Sequence, residues 1–417
     1  VSNVTAFDTM FSNNVNLTSL DLSGWTLNAT KNITMGGMFM TDTSLTSLNL
    51  SGWQTANVIS IANLFASDSS LTTLNLTGWQ LTKATSWMNV FRNTASLKTV
   101  DLSGWKSDNV TNITNTFSNT GILGSLNLAQ FQTGEATTMA GMFAGTDLTG
   151  IDLSSLTTSA VTDMSSMFAG ATLAGIDLST FDTSQVTDMS SMFQNTNLAG
   201  VNLSKLDTSA VQLMASMFSG TQGLESLDLS HFKTNNVTSM NSMFSDTSIK
   251  QLNLSSFDTS QVTDMYAMFS GAAVTSLDLS SFDMTNVASM TDMLKATSLS
   301  TLTLSPTVNL QTSGVNIFGD PYQDTVTLPA IKVTDQYTGS WIDTDGKTYT
   351  SAELMAAYDQ GRTTNFTAPI TYTWEVITSK SDLTAKNITL IAGPKTTWMA
   401  KDSVASLKDV DGNAIDL

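Results

Sequence analysis

The sequence predicts a solenoid: short windings stacked on one parallel β-sheet, with short helices on the opposite side, followed by a small α+β, β-rich C-terminal region. Three observations predict it. A phenylalanine marker recurs at Phe11, Phe39, Phe65, Phe91, Phe117, Phe143, Phe168, Phe193, Phe218, Phe244 and Phe269, with Leu294 in the twelfth place. The steps are 28, then 26 four times, then 25 or 26. Every unit carries an alternating apolar triplet, from Leu20/Leu22 through Ile176/Leu178 to Leu302/Leu304. All five prolines fall after that last triplet. Self-similarity at a fixed period of about 20–50 residues marks a repeat architecture, in which neighbouring units bury one another.

Within a unit the hydrophobic period changes. In Ile176-Asp177-Leu178 it is two, the period of a short strand with one buried face. Asp182-Thr183-Ser184 then offers N-cap side chains, and Val186, Met189, Met192 and Phe193 fall on one stripe of a short helix. Asn195, or Gly170 at the matching point, suits its stop. One winding thus reads as strand, turn, short helix and return. A lone winding of about 25 residues cannot offset the entropy of ordering its backbone, so only stacking makes it stable. About twelve windings cover residues 1–305.

Proline cannot donate to a β-ladder, so Pro306 marks a change of architecture. Residues 306–378 are expected to form a small α+β module, with strands over Val326–Val333, Tyr337–Ile342 and Ile370–Val376 and a capped helical turn over Ser351–Tyr358. Residues 379–417 are expected to form a partial β module. Val1 falls inside a winding and Leu417 follows the Asp411-Gly412 turn, which reads as a fragment of a longer exported protein.

Composition excludes several functions. The 417 residues contain no Cys and one His, which removes disulfide scaffolds, thiolate sites and most zinc or haem ligation, so no cofactor is expected. Seventeen Lys and Arg against 35 Asp and Glu give a net charge of −18, the wrong sign for nucleic acid or an anionic bilayer. No apolar run is long enough to span a membrane. Only 12% of residues are charged, about half the usual share, and Ser, Thr, Asn and Gly stand in their place. Cysteine-free, acidic, Thr/Asn/Ser-rich composition is shared by many exported bacterial proteins.

The run Asp182-Thr-Ser-Gln-Val-Thr-Asp-Met-Ser-Ser-Met-Phe193, followed by Leu198-Ala-Gly-Val-Asn-Leu-Ser204, has near copies from Asp207 and Asp258. It resembles the roughly 25-residue repeat of BspA-like leucine-rich-repeat surface proteins of lactic-acid and other host-associated bacteria, over about residues 1–305. The early units depart from it, with Trp25, Trp53, Trp79 and Trp105 and no Asp-Thr-Ser signature. Residues 379–417 resemble the opening strands of a bacterial immunoglobulin-like repeat. The resemblance implies a leucine-rich-repeat-like fold, a Gram-positive, wall-anchored extracellular setting and adhesion by protein binding.

The residue between the two apolar positions of each triplet points outward. That column reads Asp21, Asn49, Asn75, Asp101, Asn127, Asp152, Asp177, Asn202, Asp228, Asn253, Asp278 and Thr303. Asp101, Asn127, Asp152, Asp177, Asn202, Asp228, Asn253 and Asp278 are the candidate binding residues. The plainer reading of the same column is structural, Asn and Asp stacked for ladder hydrogen bonds and solubility. His231 beside Ser230 and Asp228 lacks a nucleophile elbow. Asp343-Thr-Asp345-Gly346 and Asp409-Val-Asp411-Gly412 look like tight turns rather than calcium loops, for want of a bidentate Glu. Asp182/Asp188 and Asp258/Asp264 could hold a surface cation or serve as caps and solvated acids. Met164, Met167, Met189 and Met192 read as core. The four Trp in register read as stacked packing or as an aromatic sugar-binding strip.

Three functions of different class remain. One is an adhesive platform, a monomer that contacts host extracellular matrix, mucin glycoprotein, glycan or neighbouring cells, without chemistry, nucleic acid or membrane insertion. Another is a spacer projecting other domains of a longer wall-anchored protein. The third, a polysaccharide-cleaving enzyme, would need paired carboxylates in a cleft.

Overall fold

The computed structural model describes residues 1–377 apart from 107, 123, 125–132, 296, 316–320, 326, 332, 335 and 360–365. The expected module over 379–417 and the Asp409–Gly412 turn lie outside the described residues. The repeats wind as a parallel β-solenoid of about 11 turns with very little helix. Its strands are β1 (Ser19–Asp21), β2 (Ile33–Thr34), β3 (Ser47–Asn49), β4 (Val58–Ser60), β5 (Thr73–Asn75), β6 (Ser226–Asp228), β7 (Gln251–Asn253), β8 (Ser276–Leu279) and β9 (Thr301–Leu304).

The Leu-x-Leu triplets stack in register, Leu20 on Leu48 on Leu74 and Leu277 on Leu302, as the sequence predicts. The sheet is interrupted in the middle of the array, and glycine explains part of the gap. The strands start at Ser, Thr or Gln, as at Ser19, Ser47, Thr73, Ser226 and Gln251, although Thr99 before the fourth triplet starts none. Gly150, Gly175 and Gly200 occupy that place in three middle windings with φ of +75°, +78° and +80°. There the N–H groups of Ile151, Ile176 and Val201 close tight turns onto Leu148, Leu173 and Leu198. A residue with positive φ cannot continue a strand. Continuity passes instead to a seam of single parallel bridges, Ser86–Asn112–Thr138–Asp163–Asp188–Leu213–Ser239–Asp264–Ser289.

The Met-Phe segment buries the expected stripe, with Val186, Met189, Met192 and Phe193 fully buried. It is not a helix. The N–H groups of Met189, Ser191, Phe193 and Asn195 cross to the carbonyls of Leu213, Ala215, Met217 and Ser219 on the next winding. Those of Met192, Gln194 and Thr196 close three-residue turns inside their own winding. Every second donor therefore ties one winding to the next, whereas a helix spends all its donors on itself and is marginal at this length. The alternation needs a left-handed residue twice per winding. One such column runs Asn63, Asn89, Asn115, Gly141, Ser166, Ser191, Ser216 and Ser242, and a second runs Asn93, Asn119, Gly145, Gly170, Asn195, Gly220, Asp246 and Gly271. Gly and Asn tolerate this region best, which accounts for part of the small-polar composition.

A ladder of aromatic rings runs through the interior. Successive phenylalanines from Phe11 to Phe269 stack with centroids 5.5–6.2 Å apart. Trp25, Trp53, Trp79 and Trp105 form a second ladder at 5.8–6.3 Å. The last three are buried, and the indole N–H groups of Trp53 and Trp79 donate to the carbonyls of Leu22 and Leu50.

After β9 come β10 (Gln311–Val315), β11 (Pro321–Thr325), β12 (Tyr337–Asp343), β13 (Thr348–Tyr349), α1 (Ser351–Ala357) and β14 (Ile370–Val376). Strands β12 and β14 and helix α1 fall where the sequence places them. The expected strand over 326–333 does not form among its described residues, and β10 pairs antiparallel with β11 just upstream. Helix α1 starts in a capping box: Thr350 Oγ1 accepts from Glu353 N and the Glu353 carboxylate accepts from Thr350 N. Strand β14 pairs antiparallel with β9, so the sheet order is β13-β12-β14-β9-β8-β7-β6. The C-terminal strands thus cover the last edge of the solenoid, the capping such arrays need.

Candidate functional site

The column between the apolar triplet positions faces outward as the sequence predicts. Asp101, Asp152, Asp177, Asn202, Asp228, Asn253 and Asp278 are exposed, while Asn127 lies outside the described residues. The column also has a structural job that the sequence reading left open. In each described winding the side-chain oxygen accepts the N–H two residues on: Asp101 from Ser103, Asp152 from Ser154, Asp177 from Ser179, Asn202 from Ser204, Asp228 from Ser230, Asn253 from Ser255 and Asp278 from Ser280, at 2.8–3.2 Å. Asp21, Asn49 and Asn75 do the same. These Asx turns close the corner after the triplet. Thr303 differs: its hydroxyl meets Thr371 on the cap at 2.9 Å.

The turns fix the charge as well as the shape. Hydrogen bonds from the N–H and hydroxyl of Ser179 hold the Asp177 carboxyl below its usual range, against a smaller opposing push from Asp152. Ser103, Ser154 and Ser230 act in the same way on Asp101, Asp152 and Asp228. The face is thus a pre-ordered ribbon of amides and ionised carboxylates at a pitch of about 4.8 Å.

The other candidates separate. Asp182 and Asp258 close further Asx turns onto Ser184 and Ser260, and Asp188 and Asp264 onto Ser190 and Tyr266. Asp343 closes the β12–β13 turn, with its carboxylate taken by Asp345 N, Lys347 N and the Tyr349 hydroxyl. Among the described residues no group of three or more acidic or imidazole side chains converges. His231 Nε2 lies 3.0 Å from the Leu203 carbonyl of the previous winding. A cleft of about 380 Å³ lies between the last winding and the cap, walled by Trp374, Tyr337 and Pro329 with Thr334 and Gln336, and among the described residues none that lines it is a carboxylate.

One column escaped the sequence reading. Thr183, Thr208, Thr234 and Thr259 are buried, and each hydroxyl donates to a carbonyl of the next winding while accepting the N–H of that same residue. Thr183 does so with Asp207 at 2.8 Å in both directions; Lys233, Asp258 and Asp283 complete the others. The signal was a Thr recurring every 25 or 26 residues, behind Asp in three of these four windings and behind Lys233 in the other. Thr183→Val keeps the shape but orphans both groups of Asp207, and is expected to cost about 1–3 kcal/mol, read as a lowered urea midpoint; an unchanged midpoint would show that the rivet is dispensable.

This repeat is matched by a family model described as "Mycoplasma protein of unknown function, DUF285", in overlapping segments over residues 5–125, 85–200, 122–226 and 195–306. The chain belongs to the DUF285 family. No curated protein and no solved structure matches it. DUF285 repeats therefore tile the whole solenoid and stop where the cap begins. The match names the DUF285 repeat and not a BspA-like leucine-rich repeat. The protein is thus a repeat solenoid of a family of unknown function.

Proposed function

We propose that this chain is an adhesive platform: a bacterial cell-surface protein, kin to the BspA-like leucine-rich-repeat proteins, that holds host matrix, mucin glycoprotein or glycan against its outward ribbon and performs no chemistry. The observation that carries this reading is the pre-ordered column Asp101–Asp278, whose carboxylates and amides are exposed yet locked by their Asx turns. Ligand groups meeting such a surface lose little of their binding energy to ordering it.

The test is a quadruple substitution, Asp152→Asn, Asp177→Asn, Asp228→Asn and Asp278→Asn. Asn49, Asn75, Asn202 and Asn253 already close the same turn, so the fold is expected to survive. Binding to mucin- and matrix-coated surfaces is expected to fall about tenfold or more, since hydrogen bonds to charged groups contribute about 1.5–3 kcal/mol each. Parent protein that binds no better than an unrelated acidic repeat protein would sink the adhesive reading. The second reading, a spacer projecting other domains of a longer wall-anchored protein, is favoured by the fact that each acceptor in the column already serves its own winding. It predicts that the quadruple variant and the parent behave alike.

A further inference from the structure

Two carboxyl groups lie where no exposed acid would. Asp42 and Asp68, on the second and third windings, are fully buried. Their column continues as Asn14 below and as Thr94, Thr120, Thr146, Ala171, Thr196, Thr221 and Thr247 above. In the windings of Thr94, Thr146, Thr196 and Thr221 the hydroxyl donates to the carbonyl of the marker Phe three residues back, as Thr94 does to Phe91 at 2.8 Å and Thr196 to Phe193 at 2.6 Å, whereas the Thr247 hydroxyl is buried and unpartnered. The two Asp windings change the pattern: Asp42 Oδ1 accepts Asn14 N at 2.6 Å, and Asp68 Oδ1 accepts Asp42 N at 2.9 Å. The chain is stitched downward through three consecutive windings, with Oδ2 of each carboxyl buried and unpartnered.

An ionised oxygen buried with no donor is costly, while a protonated one becomes a donor in a place where the column normally puts a donor. We propose that Asp42 and Asp68 are a proton-gated clamp, held as neutral carboxylic acids that lock the first three windings together in acid and loosen them as the protons leave.

The surroundings support it. The charged group acting on Asp68 is Asp42, and no basic side chain acts on either carboxyl. Asn14 and Thr94, which flank the pair in the column, do not titrate in water. Asp8 on the first winding is engaged with Gly36 N, and Arg92 on the fourth is exposed. Burial pushes Asp68 up to about 9 and Asp42 up to about 6, the charge of Asp42 adding to the rise of Asp68. Both folded values exceed the ordinary carboxyl value of about 3.9. The folded state therefore holds more protons than the unfolded one, so the clamp is fully effective below about pH 4 and weakens as pH rises through 6 and then 9. Asp101, Asp152, Asp177 and Asp228 of the outward column have the opposite sign, adding stability above the usual carboxyl range and losing it in acid.

The decisive measurement is a carbon NMR titration of Asp carboxyl groups in the whole chain from pH 3 to 10, with Asp42→Thr and Asp68→Thr to assign the resonances. Two carboxyls are expected to titrate above the rest, Asp68 highest, and to vanish in the respective variants. Amide exchange, corrected for its intrinsic pH dependence, is expected to show opening of windings one to three rising up to tenfold per pH unit for each extra proton held. The windings around Phe168–Phe218 are expected to lack that rise. In the double Thr variant, whose side chains suit the column elsewhere, the N-terminal rise is expected to disappear. If that variant fails to fold, the titration of the parent alone decides. Asp carboxyls that all titrate below pH 5, or an N-terminal pH slope that survives in a folded double variant, would overturn the clamp.

Discussion

Phe193→Ala is expected to destabilise the middle of the array by about 3–5 kcal/mol, the usual cost of emptying a buried aromatic site. The ring is fully buried and stacked between Phe168 and Phe218, with centroids 5.8 Å away on either side. Neither neighbour can move in to fill the gap. Phe168 N is tied to the Met192 carbonyl and Phe193 N to the Met217 carbonyl, so the windings hold the rings at their spacing. The void removes contacts from two interfaces at once. Phe11→Ala should cost less, because Phe11 is only partly buried and has one stacked neighbour in the ladder, Phe39. A urea titration combined with native-state hydrogen exchange reads both quantities. Protection should fall first in the windings around 168–218; a small loss spread evenly along the chain would show that the ring ladder is not the shared core.

Tyr372→Ala is expected to undo the cap, at a similar cost of about 3–5 kcal/mol. Tyr372 sits on β14 opposite Leu302 of β9 and is fully buried. Its ring meets Tyr349 at 5.7 Å and Tyr358 at 6.2 Å, both edge-on, and its hydroxyl lies 3.1 Å from that of Tyr358. The side chain therefore pins β13, the end of α1 and the last winding to one strand. Without it β14 loosens and β9 becomes a bare edge, ready to pair with another chain. Light scattering should report concentration-dependent association of the variant at concentrations where the parent stays dispersed, with exchange of the β9 amides rising. A variant that stays monodisperse with β9 protected would mean that the backbone pairing alone holds the cap.

The stacking of Leu20 on Leu48 and of Leu277 on Leu302 was legible in the sequence because buried alternation and a constant period leave few other solutions. The helix expected over Val186–Phe193 was not formed, and the reason is visible in residues the hydrophobic stripe ignores. A stripe records which side chains are buried, not where the N–H groups go. Gly170 and Asn195, read as stops, and Ser191, inside the expected helix, belong to two columns of left-handed hinges in a turn ladder. Gly150, Gly175 and Gly200 carry the break in the sheet, which alternation of the apolar positions does not reveal. Exposure of Asp152 and Asp177 followed from alternation alone. Their Asx turns did not, since closing onto Ser154 and Ser179 depends on a corner that only the wound backbone creates. Asp42 and Asp68 went unnoticed because the sequence does not say which polar positions lie inside until the windings are stacked.

The crossing hydrogen bonds that join each winding to the next lie along the axis of the stack. A tensile load applied between the two ends therefore falls on the same bonds, in series. Such a chain yields at its weakest junction, one winding at a time, and each released winding of about 25 residues supplies roughly 80–90 Å of slack when drawn out. The molecule then behaves as an extensible tether, shedding load in small increments while the windings not yet reached keep their surface intact.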